Sequence, residues 1–196
     1  MSYREVIAVG MVFLSIICQE VYATPGTAAP EAVGDTTRPR FVTPRIEGYG
    51  AIMPLPRAEE PPRAESRVVF DITGAGEPDK VLKGLNGIAL FLNLAADAGI
   101  AAESLNLTAV LHGPATKAVL RSEGYAKATK VSHSNPNVDL IRKLKAVGVE
   151  LYVCGQALAH HHYGLDEVVP EVMVSVSATT VLVNRQMKGY AYLPYH

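Results

Sequence analysis

From Arg67 onward, apolar runs of strand length alternate with apolar stripes at helical spacing, and this confines the chain to few folds. Val68-Val69-Phe70-Asp71-Ile72 is the first run, closed by Gly74 and Gly76. A helix should follow, with Pro78 at its first position and Gly99 past its end. Val81, Leu85, Ile88, Leu92 and Ala95 form its core stripe. Gly84 and Gly87 inside it each cost up to about 1 kcal/mol against alanine, which points to close packing against another backbone.

Leu105 to Leu111 reads as the second strand, followed by His112-Gly113-Pro114 and a short helix from Pro114 through Leu120. Residues Arg121 to Ser134 are weakly patterned and read as a loop, with a short strand near Thr129 to Val131. Asn135-Pro136 predicts an N-cap and first helical residue, and Val138, Ile141, Leu144 and Val147 predict that helix's buried face, ended by Gly148. Val149, Leu151 and Val153 then alternate with Glu150, Tyr152 and Cys154, the period of a strand. Gly155 and Gln156 open a helix that Gly164 would close. Val172 to Val174 is a short strand, Ser175 or Ser177 caps a helix from Ala178 to Lys188, and Tyr190 to Leu193 is a terminal strand before Pro194. Strands alternating with helices imply βαβ units, hence an α/β domain over residues 67–196 with a mostly parallel, roughly five-stranded sheet covered on both faces.

Residues 24–66 hold most of the chain's 13 prolines. Residues 24–40 are small and polar and predict disorder. From Phe41 to Leu55 the segment carries Phe41, Val42, Ile46, Tyr49, Ile52, Met53 and Leu55, too apolar for a solvated linker. Residues 41–66 are therefore expected to form an arm packed on its own domain or on a neighbouring subunit.

The first 23 residues read as a cleaved export signal. Arg4 precedes an apolar run from Val6 to Cys18, and Val21-Tyr22-Ala23 supplies a cleavage site after Ala23. The run is shorter than the roughly 20 residues a spanning helix needs. Bulky Ile16 and Ile17 ahead of Cys18 disfavour a lipoprotein signal. An uncleaved anchor is the alternative, since Glu5 beside Arg4 weakens the charge signal. Removal of this segment leaves equal numbers of basic and acidic residues and takes away Cys18, one of the chain's 2 cysteines. The exported chain then holds Cys154 unpaired in an oxidising compartment, where a free thiol is buried or used. The near-neutral balance argues against nucleic acid as partner.

Binding sites in parallel sheets lie at the carboxyl ends of the strands, where Asp71, His112 and Cys154 all stand. At a strand-to-helix junction, the free N–H groups of the first turn favour thiolate over thiol. Cys154 is thus either a reactive thiol or a small buried residue. His112 either pairs with that thiol or is hydrogen-bonded to its own turn. His160, His161 and His162 suggest metal, but a helix places them roughly 8–10 Å from the cysteine end and fans them by about 100° each. They read first as a solvated cluster at a helix C-terminus, and second as ligands shared across a subunit interface. There is no zinc-type CxxC, HExxH, Walker loop or GxSxG. Asp71-Ile72-Thr73-Gly74-Ala75-Gly76 has Asp79 where a dinucleotide fingerprint needs its third glycine, so this reads as a tight turn. No cofactor is expected.

Several stretches together resemble the DsrE/DsrF-like family, and within it an exported, periplasmic group. They are Val68 to Ile72, Asn93-Leu94, Ala109 to Gly113, Asn135 to Ile141, Gly148 to Gln156, Ser175 to Thr180 and Gly189-Tyr190-Ala191. In the arm, Gly48-Tyr49-Gly50 and Pro54-Leu55-Pro56 share the likeness, so it runs from about Ile46 to Pro194. The resemblance implies a three-layer α/β/α fold, flavodoxin-like in general architecture, with the cysteine strand beside the strand ending at His112. It implies a homo-oligomer, trimer or hexamer, and sulfur carried as a persulfide on Cys154. A sulfur donor or acceptor protein, or a small thiol, would be the partner; stable membrane insertion is not expected. The alternative is a non-catalytic periplasmic module that binds a metal or small ligand at the strand ends.

Overall fold

A computed structural model describes residues 39–196. The export segment, Cys18 and residues 24–38 lie outside the described residues. Five strands, β1 (Arg67–Ile72), β2 (Asn106–Leu111), β3 (Glu150–Cys154), β4 (Met173–Ser175) and β5 (Ala191–Tyr195), form one sheet in the order β4-β3-β2-β1-β5. Every neighbouring pair is parallel. The helices are α1 (Lys83–Asp97), α2 (Ser122–Thr129), α3 (Val138–Ala146), α4 (Gly155–His160) and α5 (Ala178–Met187).

Strand alternation divides the core in two. Phe70, Ile72, Ala109, Leu111, Leu151 and Val153 turn to one face, where Leu85, Ile88 and Leu92 of α1, Leu140, Ile141 and Leu144 of α3 and Leu158 of α4 meet them. Burying each such large side chain is worth about 1.5–3 kcal/mol, so this face carries most of the apolar stabilisation. Val110 and Cys154 turn to the other face, against Ala178 and Val181 of α5. These are the three layers of an α/β/α fold.

The arm lies along α1, and one buried side chain makes four of the hydrogen bonds that hold it. Asn93 is completely buried. Its Oδ1 accepts from the backbone N–H groups of Arg45 and Ile46 at 2.9 and 2.8 Å, and its Nδ2 donates to the carbonyls of Tyr49 and Gly50 at 2.8 and 2.9 Å. Gly50 has φ +57, and a Cβ there would run into the backbone of Ala89 and Leu90, so only glycine allows this approach. Ile46 and Ile52 are buried, whereas Phe41, Met53 and Leu55 remain exposed.

Local structure departs from the sequence pattern at five places. Helix α1 starts at Lys83 instead of Pro78, because the preceding residues are tied elsewhere: Leu82 N–H donates to Asn137 Oδ1 at 2.7 Å and Tyr125 Oη donates to the Pro78 carbonyl at 2.8 Å. A helix, α2, occupies part of the expected loop; it buries only Gly124 and Tyr125, too little to write a stripe. Asn137, not Asn135, stands at the N-cap of α3. Asn135 is spent on the Ala118 and Leu120 carbonyls, to which its Nδ2 donates at 2.9 and 2.7 Å. Helix α4 ends at His160, and His162 adopts φ +58, so Gly164 does not close it. Pro194 lies inside β5, which tolerates it as an edge strand.

Candidate functional site

The site is built where β1, β2 and β3 end on the α5 face, and the second residue of β5 reaches into it. Phe70 and Ile72 turn to the α1 face, so Asp71 between them turns to the other. It is 6% exposed, and both its carboxylate oxygens are used. Tyr192 Oη of β5 donates to Oδ2 at 2.7 Å. His112 Nε2, just past β2, lies 2.7 Å from Oδ1. An ionised carboxylate only accepts, so opposite ionised Asp71 the proton sits on Nε2 and leaves Nδ1 available. Among the described residues Nδ1 has no hydrogen-bond partner.

His112 is held on its backbone as well. Its φ of −153° and ψ of −179° continue β2, and its N–H donates to the Ile72 carbonyl at 3.1 Å. Leu111 is paired with Val153, so the next step of the parallel register sets His112 beside Cys154. The two share the α5 face. Cys154 is 6% exposed and packs with Val110, Ala178 and Val181. It occupies the N-cap of α4, a helix of only 6 residues. Gly155 permits this junction, since a Cβ there would approach the Ser175 carbonyl oxygen to 2.7 Å.

Of the sequence-predicted site residues, Cys154 and His112 therefore stand at the carboxyl ends of neighbouring strands on the same face, and the His112 ring is hydrogen-bonded to Asp71. Asp71 was visible at a strand end, but nothing in the sequence joined it to His112. Tyr192 was missed altogether; only the phase of β5, which pairs Val69 with Tyr192, reveals it. The Asp71 carboxylate holds the Tyr192 hydroxyl above its ordinary range, first through the hydrogen bond, then through burial and like charge.

The histidine triplet does not converge. His161 Nε2 lies 3.1 Å from the Gly113 carbonyl, and its ring stacks on Tyr163 at 5.5 Å. His160 and His162 are exposed. Among the described residues no grouping of three or more His, Cys, Asp or Glu side chains could hold a metal ion.

Two cavities flank this region. One of about 290 Å³ opens beside Ile72, Lys83 and Tyr195 on the α1 face, and one of about 230 Å³ lies between Tyr152, Ser175 and Arg185 on the α5 face. Cys154 lines neither.

With this geometry established, residues 71–195 match the DsrE/DsrF-like family. The chain belongs to the DsrE/DsrF-like family. In this DsrE/DsrF-like protein the match spans every element from the end of β1 to β5, and with it Asp71, His112, Cys154 and Tyr192. Among solved structures it is similar to a protein of unknown function, MTH1491, from Methanobacterium thermoautotrophicum, at 25% identity and a TM-score of 0.48, over 66% of this chain and 99% of that one. It is also similar to the ychN protein from E. coli at 16% identity and a TM-score of 0.47, over the same shares of the two chains. No curated protein matches the chain.

Proposed function

We propose that this DsrE/DsrF-like protein is a periplasmic carrier of sulfane sulfur acting through Cys154. The observation that carries this reading is the Asp71–His112 pair set beside Cys154 on one sheet face. The Cys154 thiolate attacks the outer sulfur of a persulfide or polysulfide donor. A new S–S bond forms to Cys154, the donor's S–S bond breaks, and its electron pair leaves on the donor thiolate. His112 Nδ1 takes the thiol proton, and Asp71 steadies the resulting imidazolium. Transfer onward reverses the roles: an acceptor thiolate attacks the outer sulfur and Cys154 departs as thiolate. No net oxidation occurs.

Export is proposed from Arg4, the Val6–Cys18 run and the site after Ala23. No helix among the described residues is long and apolar enough to cross a membrane. Self-association is proposed from exposed Met173, Val174, Val176, Val183, Met187 and Leu193, all on β4, α5, β5 or the residues between them, and the trimeric or hexameric number from the family likeness alone.

One observation favours a second reading. At 6% exposure Cys154 meets a donor only when α5 shifts, and a permanently closed α5 would make this a non-catalytic binding module. Intact mass after exposure to polysulfide tests the choice. A carrier gains the mass of sulfur on Cys154 and loses it to an added thiol, and Cys154→Ser gains none. An unmodified folded protein supports the binding module instead.

A further inference from the structure

We infer that the protein carries a second site, in the cavity between α1 and the β1–β5 boundary, and that it takes a short monocarboxylate. The cavity's volume, about 290 Å³, stands at the small end of ligand pockets, which begin near roughly 300 Å³. The cavity opens at the carboxyl ends of β1 and β5, whose last residues, Ile72 and Tyr195, line it.

The walls define the ligand. Ile72 and Leu82 are buried and apolar, and Val81 and Tyr195 are half-buried beside them. The floor is close because Gly84 lacks a side chain; a Cβ there would come within 2.7 Å of Ile72 Cγ2. Two lysines reach the cavity and they are not equivalent. Lys80 is paired with Glu77 at 2.6 Å, which cancels its charge. Lys83 is in no ion pair among the described residues, and the first turn of α1 holds no acidic side chain. Glu77 and His196 complete the rim, and apolar walls with Lys83 as the one unpaired cation among the described residues at the edge suit a ligand with an apolar body and a single negative head. The carboxylate sits at Lys83 and the hydrocarbon lies on the half-buried Val81 and Tyr195, beside buried Ile72 and Leu82. Ile72 and Asp71 turn to opposite faces of the sheet, so this site works independently of Cys154.

Hexanoate and its neutral analogue hexanamide are suitable probes, followed through the methyl resonances of Ile72 and Leu82 in the purified protein. Hexanoate should shift these signals saturably, and hexanamide should bind roughly tenfold more weakly. Lys83→Gln should bring hexanoate down to the level of hexanamide. Ala75→Trp, at an exposed position on the cavity wall, should abolish binding of both with the melting temperature unchanged, and Cys154→Ser should bind as the parent does. Absence of saturable shifts, or full hexanoate affinity in Lys83→Gln, overturns the inference.

Discussion

Tyr192 and Asp71 are joined across the β5–β1 boundary by a 2.7 Å hydrogen bond in which the hydroxyl donates. The edge strand thus fixes the carboxylate whose other oxygen orients His112. β5 is mostly exposed and would otherwise contribute little to the site.

This bond gives a pH dependence. Asp71 raises the Tyr192 pKa, chiefly because ionised tyrosine loses the hydrogen bond it donates. A group whose folded pKa is raised stabilises the fold fully below its unfolded value, here about 10. That contribution is lost as pH rises through the folded value. The Tyr192 Cζ resonance should therefore titrate above the ordinary tyrosine range, and Asp71→Asn should move it down. An unchanged midpoint in Asp71→Asn contradicts the coupling.

Asn93→Ala should release the arm. Two backbone N–H groups and two carbonyls lose their partner in a buried place, and unsatisfied buried groups cost about 1–3 kcal/mol each when water cannot reach them. Partial rehydration as the arm lifts limits the loss to about 3 kcal/mol. Urea unfolding measures it, and limited proteolysis should cut first between Arg45 and Arg57. A loss below about 1 kcal/mol with an uncut arm contradicts the clamp.

The parallel sheet and the place of Cys154 were legible in the sequence because strand alternation and helix stripes are local signals. The Asp71–His112 bond was not, since it joins residues 41 apart that meet only when β1 and β2 pair in one register. Tyr192 is 121 residues from its partner and carried no signal of its own. The start of α1 was misplaced for a similar reason: Asn137 and Tyr125 hold residues 78–82 out of the helix from far along the chain.

The cover over Cys154 should be adjustable. Val181 of α5 packs against it, and Val181→Ala removes two methyl groups at a cost of about 1.5 kcal/mol. Alkylation of Cys154 in the folded protein should then run several times faster than in the parent. Equal rates contradict access through α5.

The carrier account is tested most directly by intact mass of the folded protein after brief exposure to polysulfide. The account predicts addition of sulfur at Cys154, reversed by thiol and absent in Cys154→Ser. It also predicts addition slowed roughly tenfold or more in His112→Ala, since general base assistance is removed. A protein that gains no mass until it is unfolded contradicts the account.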